Sequence, residues 1–266
     1  MPAISSCRSR SSFTCSLHKG CTVHLLLSCP CSGFATEPVK GVTGMGLPTV
    51  AMGLLGAFMS PVAAAGFLIV PSFVTNVWQL ASGPSLTALV SRLWLMMLGI
   101  VLGTVGSASI LAGGDAQWTT AGLGAALVIY AVFTLLARQL SVPVEVEKWL
   151  SPLIGLTTGM VTGGTGVFVI PAVPYLQALG LSKDDLIQGL GLSFTVSTIA
   201  LAAGLAWRGA LQVDGLAMSS LAIAPALLGM WLGQAIRMRV SPIAFRRWFL
   251  TGLVLLGIEL ILRSVL

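Results

Sequence analysis

From Trp149 to Ser182 the chain carries no charged residue, and within that run Gly155, Gly159, Gly163, Gly164 and Gly166 are followed by Pro171 and Pro174. No other feature restricts the fold as much. An uncharged run of this length belongs in a bilayer, which about 20 apolar residues suffice to cross. Yet glycine in a helix interior costs roughly 1 kcal/mol relative to alanine, and proline about 3. A cluster of both argues against one smooth spanning helix. Broken backbone at membrane depth persists only where protein or a water-filled cavity satisfies its N–H and C=O groups. Two uses fit the glycines. Gly155-xxx-Gly159-xxx-Gly163 has the spacing of close helix packing. Gly163-Gly164-Thr165-Gly166 is denser than packing needs, and suits a break whose half-helix ends face an anion, as in transporters. The sequence leaves packing alone, and packing with a substrate-facing break, on equal footing.

The composition points the same way. Of 266 residues, 56% are hydrophobic and 8% charged, against about 25% charged in soluble domains. Further uncharged runs at 93–114, 116–137, 186–207 and 215–236 have the length of spans. Lys40 and Arg92 bracket another, with Pro61 as a turn between two of its helices. The fold class is therefore all-α, a polytopic helical membrane protein. A β-barrel would need repeated strands of about ten residues with alternating polarity, and none are visible. The net charge of +6 reflects basic residues at span ends and not a nucleic-acid surface, which would interleave aromatics with a basic patch. All five cysteines (Cys7, Cys15, Cys21, Cys29, Cys31) fall in the first 31 residues, beside His18 and His24. Their odd number and irregular spacing fit neither a disulfide framework nor a zinc site, so no metal and no cofactor is expected.

Along the chain, residues 1–38 are polar and expected to be disordered, since such a composition buries too little apolar surface to offset chain ordering. A first membrane repeat is expected over 39–137, a polar linker over 138–148 and a second repeat over 149–266. Gly41 aligns with Gly159 and Gly46 with Gly164 at an offset of 118, and Ser60-Pro61 with Ser182-Lys183 at 122. After each glycine cluster comes a span with small polar residues: Thr75, Asn76 and Gln79 in the first copy, then Ser193, Thr195, Ser197 and Thr198 in the second. Two more spans follow in each, near 92–112 and 117–137, then 212–236 and 244–265. Arg237, Arg239, Arg246 and Arg247 place the linker 237–247 in the cytoplasm by the positive-inside rule, and counting back puts Leu181 to Asp185 there too. If 150–180 folds back as a broken hairpin near Gly163–Gly166, then Arg138 and Lys148 share that side. The two copies would then run in opposite senses, the inverted repeat of many secondary transporters.

The stretches LIGLTTGMVTGGTGVFVIPAVPYLQALGLSKDDL and VKGVTGMGLPTVAMGLLGAFMSP resemble the TauE/SafE family of sulfite-exporter membrane permeases, with the likeness covering about 38–266. The resemblance implies a secondary transporter of a small anion, such as sulfite or an organosulfonate, in the bacterial cytoplasmic (inner) membrane. Carried over by position, the family's glycine motif falls on Gly41, Gly44 and Gly46, and on Gly159, Gly164 and Gly166 followed by Pro171. The chain departs from the pattern at Thr162 and Thr165, where glycine is usual, and in lacking the helix expected before Lys40. The candidate substrate-binding set is Gly44, Gly46, Pro48, Thr75, Asn76, Gly163, Gly164, Thr165, Gly166, Pro171, Ser193 and Ser197.

Arg92 and Glu259 are candidate charge partners. Arg92 opens a span, where it could attract an anion or snorkel to the interface. An intramembrane carboxylate is a functional hypothesis by default, and Glu259 is equally explained by an i,i+4 pair with Arg263. Asp184-Asp185 reads as charge at a helix start and not as a catalytic pair. Gly163–Gly166 lacks the strand context and lysine of a phosphate loop. No enzyme constellation appears, so the expected partners are a small anion and the lipid bilayer, without nucleic acid. The alternative to a carrier is a channel or a non-transporting membrane subunit of a larger assembly. Substrate, direction, coupling ion and oligomeric state are not legible.

Overall fold

In hydrocarbon the backbone must satisfy its own polar groups, and a helix does so within one segment. The computed structural model describes residues 47–81, 83–136, 141–211 and 242–265, and all regular structure among them is helical. These residues lie within Pro38–Leu266, one compact unit. Segment 1–38, the glycines Gly41, Gly44 and Gly46, Arg138 and the expected span 212–236 fall outside the described residues.

The described helices are α1 (Leu47–Phe58), α2 (Pro61–Ala81), α3 (Leu86–Gly113), α4 (Ala116–Leu136), α5 (Val144–Thr165), α6 (Ala172–Ala178), α7 (Lys183–Trp207) and α8 (Pro242–Val265). Among them α2, α3, α4 and α7 are long and apolar enough to cross a membrane. The expected turn at Pro61 is present: Pro61 opens α2, where its missing N–H costs nothing. Asp184 and Asp185 sit in the first turn of α7, and the Ser182 hydroxyl caps that helix by accepting from the Asp185 N–H at 3.2 Å. Their role at a helix start is therefore structural.

Residues 144–182 form a hairpin. Helix α5 runs away from its starting face for about 27 Å between Glu147 and Thr165, at 1.5 Å per residue. The chain then turns and comes back through Val167–Ile170 and the short α6. Its two ends meet where the Val142 N–H donates to the Ala178 carbonyl at 2.9 Å. Lys148 and Lys183 therefore lie at one face of the molecule, called here the mouth. The turn comes at Gly166, the last residue of Gly163–Gly166, while Gly163 remains helical and packs against α3. An added Cβ at Gly163 would meet Thr104 and Ser107.

That packing repeats along α5. Gly155 faces the Met96 backbone, Gly159 faces Gly103, and Gly99 faces the backbone of Pro152 and Leu156. Helices α3 and α5 run parallel in backbone contact, the close approach that small residues permit where lipid removes any hydrophobic drive to associate. Two antiparallel pairs complete the bundle. In the first, α2 lies against α7, with Gln188 donating to the carbonyls of Leu80 (2.9 Å) and Gly83 (2.8 Å). In the second, α4 crosses α8 where an added Cβ on Gly124 or Gly257 would reach the other's carbonyl at 2.6 or 2.7 Å. The short α1 lies against α4 and α8, and Arg263 of α8 donates to the Ala57 carbonyl.

A methyl at Gly159 would sit 2.7 Å from the Thr104 nitrogen and 2.9 Å from the Gly103 Cα, where only backbone movement can relieve it. Overpacking of this kind costs about 1–3 kcal/mol. Gly159→Ala is expected to lower the melting temperature and the monodisperse fraction in detergent. Gly106→Ala, on α3 with nothing within 4 Å, should be neutral or stabilising. Equal behaviour of the two would remove the packing role.

Candidate functional site

The break begins at Gly166, whose φ of 75° and ψ of 4° are left-handed. A side chain there costs roughly 1–2 kcal/mol, so glycine is what lets α5 end abruptly. The Gly166 N–H still bonds the Thr162 carbonyl at 2.8 Å. Thr165 braces the turn: its hydroxyl donates to the Val161 carbonyl at 2.7 Å and accepts from the Val167 N–H at 3.2 Å. The next three N–H groups, of Phe168, Val169 and Ile170, find no acceptor among the described residues. Phe168 and Val169 are buried, and a buried N–H without a partner is rare in native proteins. Pro171 follows across a cis peptide bond and opens α6.

Against this turn lies a small cavity of about 20 Å³, lined by Met52 of α1, Ala65, Ile69 and Ser72 of α2, Gly166 and Phe168 of the break, and Thr198 and Leu201 of α7. It has room for about one water molecule. The Phe168 and Phe194 rings, with centroids 5.0 Å apart and tilted by 59°, pack beside it. Its polar wall is a cross-helix contact. Thr198 Oγ1 donates to the Phe194 carbonyl at 2.7 Å and accepts from Asn76 Nδ2 at 3.4 Å. Met52 of α1 lays its side chain on Gly166.

Of the candidate residues, the structure brings Asn76, Gly166 and Pro171 around or beside the break. Thr165 serves its turn. Gly163 faces α3, and an added Cβ on Gly164 has no described atom within 4 Å. Thr75 sits one residue from Asn76, but its hydroxyl bonds its own helix at the Pro71 and Ser72 carbonyls (2.9 and 3.1 Å). Pro48 falls in the first turn of α1, while Gly44 and Gly46 lie outside the described residues. Ser193 and Ser197 are fully buried on the α7 face that carries Gly189 and Gly204 against α3, and neither hydroxyl has a described partner. Thr104 of α3, absent from the candidate set, has the same property.

The two charge candidates sit elsewhere. Arg92 grips Glu147 with two bonds of 2.7 Å, from Nε to Oε1 and from Nη2 to Oε2. Its charge is thus engaged at the mouth, several helical turns from the break. Glu259 is exposed near the far end of α8, lining an open apolar groove with Trp248, Phe58 and Arg263. Sequence reasoning missed Ser72, the glutamate paired with Arg92, and the part played by Thr198. For Thr198 a signal existed, since it stands 122 residues after Asn76, the offset of the aligned repeats.

The model of the family described as Sulfite exporter TauE/SafE matches residues 30–260. No curated protein and no solved structure matches the chain.

Gly166→Ala places a side chain at a left-handed position and 2.7 Å from the Met52 Cε, so it should lower thermal stability by about 1–2 kcal/mol. Gly164→Ala, two residues away on helical backbone and with no described atom within 4 Å of an added Cβ, should not. Thermal unfolding in detergent distinguishes them, and an unshifted Gly166→Ala would contradict the turn described here.

Proposed function

As the chain belongs to the TauE/SafE family of sulfite exporters, we propose that it carries a small sulfur oxyanion, sulfite or an organosulfonate, across the cytoplasmic membrane through a site at the Gly166–Pro171 break. The observation that carries this reading is the row of buried N–H groups at Phe168 and Val169 that no described residue accepts, beside a cavity edged by Ser72 and Thr198. Successive backbone donors of this kind suit an anion without requiring a full positive charge. A site with no cation among its described lining residues also suits a carrier, because an anion held by dipoles can leave again.

The same reading makes the two halves an inverted pair sharing one site. Asn76 and Thr198, related by the offset of 122 that aligns Ser60 with Ser182, touch each other. Residues equivalent under a two-fold axis meet only on that axis. The helices that bear them run antiparallel, as equivalent helices must in an inverted repeat. The cavity lies beside this contact, so a single site would be alternately presented to the two sides. Lys148, Lys183 and Arg247 at the mouth face put that face in the cytoplasm by the positive-inside rule.

Uptake of labelled sulfite into proteoliposomes tests the assignment. Flux is expected to saturate with sulfite and to follow an imposed ion gradient. Thr198→Val, which keeps the shape and removes the hydroxyl, and Asn76→Leu should each reduce flux about tenfold or more, with the size-exclusion profile unchanged. One lost hydrogen bond to a charged ligand, about 1.5–3 kcal/mol, is enough for this. Linear, non-saturating flux would identify a channel instead, and normal flux in both variants would move the site away from the break.

A further inference from the structure

One face of α5 carries four buried polar residues, with Ile154 between the second and the third. Glu147, Ser151, Thr158 and Thr162 are 6, 2, 0 and 0% exposed, at spacings of four, seven and four residues that keep them on one side of a helix. This is not the face that packs on α3, which belongs to Gly155, Gly159 and Gly163. It is turned toward the returning limb of the hairpin. At the deep end Thr162 Oγ1 reaches the Val167 carbonyl at 3.4 Å, four residues before the cis proline. At the mouth Ser151 Oγ and the Tyr175 hydroxyl share a bond of 2.6 Å, and that hydroxyl also donates to the Glu147 carbonyl at 3.3 Å. The seam between α5 and its return limb therefore carries hydroxyls at the break and at the mouth, with Thr158 on the same helix face between them.

At the mouth the seam is shut. Arg92 of α3 holds Glu147 of α5 through both carboxylate oxygens, and its Nη2 also reaches the Leu179 carbonyl on the return limb at 3.5 Å. One guanidinium thus ties together the outgoing helix, the return limb and α3. Most of the Glu147 side chain is buried, with 8% of it exposed. A buried carboxylate deprived of its partner must hydrate or move, so separating this pair would draw water into the end of the seam. Hydroxyls can rotate from their helical carbonyls to donate to an anion. A released guanidinium is suited to bidentate contact with a planar or tetrahedral oxyanion.

We propose that the seam between α5 and its return limb is the route by which the anion passes between the break and the mouth, and that the Arg92–Glu147 pair, backed by Tyr175, is its gate. The inference rests on the reading of the break as the anion site, but its test does not measure transport, so the two can fail separately. All five native cysteines lie in the first 31 residues and can be changed to serine. Into that chain Thr158→Cys is introduced, with Arg92 intact or as Arg92→Gln, and reconstituted vesicles of known orientation are treated with methanethiosulfonate ethylsulfonate. This reagent is a membrane-impermeant sulfonate.

Labelling of Thr158→Cys is expected to be at least tenfold faster with Arg92→Gln than with Arg92, and only from the mouth face. Ile100→Cys, at a fully buried apolar position on α3, should resist labelling in both backgrounds. Exchanging the charges, Arg92→Glu with Glu147→Arg, should slow labelling again. If Arg92→Gln does not give folded protein, Tyr175→Phe, which keeps the ring and removes the hydroxyl, is expected to speed labelling about threefold. The proposal is overturned if Thr158→Cys stays as unreactive as Ile100→Cys in the folded variants, or if it is labelled only from the opposite face.

Discussion

The backbone contact between α3 and α5 is the constraint from which the rest of this structure follows. Lipid offers no hydrophobic reward for bringing two spanning helices together, so their association depends on packing and on groups small enough to allow it. Gly99 and Gly103 on one side, and Gly155, Gly159 and Gly163 on the other, supply that closeness. With α5 pinned along this face, its end is fixed at Gly166. Its neighbouring face, with Ser151, Thr158 and Thr162, is left to the return limb. Arg92 and Glu147 then fasten the same two helices at the mouth. The glycines of the cluster that look like flexibility in the sequence are thus mostly a means of rigidity, and of Gly155, Gly159, Gly163, Gly164 and Gly166 the last alone has a positive φ.

That rigidity gives the proposed site its character. A turn held by packing on α3 can leave N–H groups of Phe168 and Val169 without a described acceptor, an arrangement that a loose loop would collapse to avoid. Among the described residues, Arg92 is neutralised by Glu147 at the mouth and Arg263 is directed to the Ala57 carbonyl. Binding by dipoles in a confined space, with charge kept at the gate, is a division of labour suited to a carrier whose ligand must be released on each cycle.

Much of the architecture was legible because membrane insertion writes plain signals. Uncharged runs gave the described spans, Pro61 gave the start of α2, and the glycines and prolines of 149–182 pointed to a break. Two points were legible only in part, for a physical reason. Glycine density at Gly163–Gly166 locates a break only to within a turn, because a packing glycine and a turning glycine look alike until their neighbours are known. Arg92 was legible as a charge at a helix end but not as half of an ion pair, since Glu147 is 55 residues away and reaches it only when α3 and α5 lie parallel. Conversely, Glu147, Ser151, Thr158 and Thr162 formed a readable helical stripe that the glycines beside it overshadowed. The bond between Asn76 and Thr198 could be anticipated only by joining the repeat offset to an antiparallel crossing.

The central claim is that backbone donors at the Gly166–Pro171 break hold the anion. Selenite, the heavier analogue of sulfite, allows this to be seen directly in crystals measured at the selenium absorption edge, with no selenomethionine in the protein. The account predicts one anomalous peak beside Phe168 and Val169, within about 4 Å of their nitrogens, as hydrogen bonds of about 2.9 Å to a selenite oxygen require. A peak at the Arg92–Glu147 mouth or beside Ser193 and Ser197, with none at the break, would contradict it.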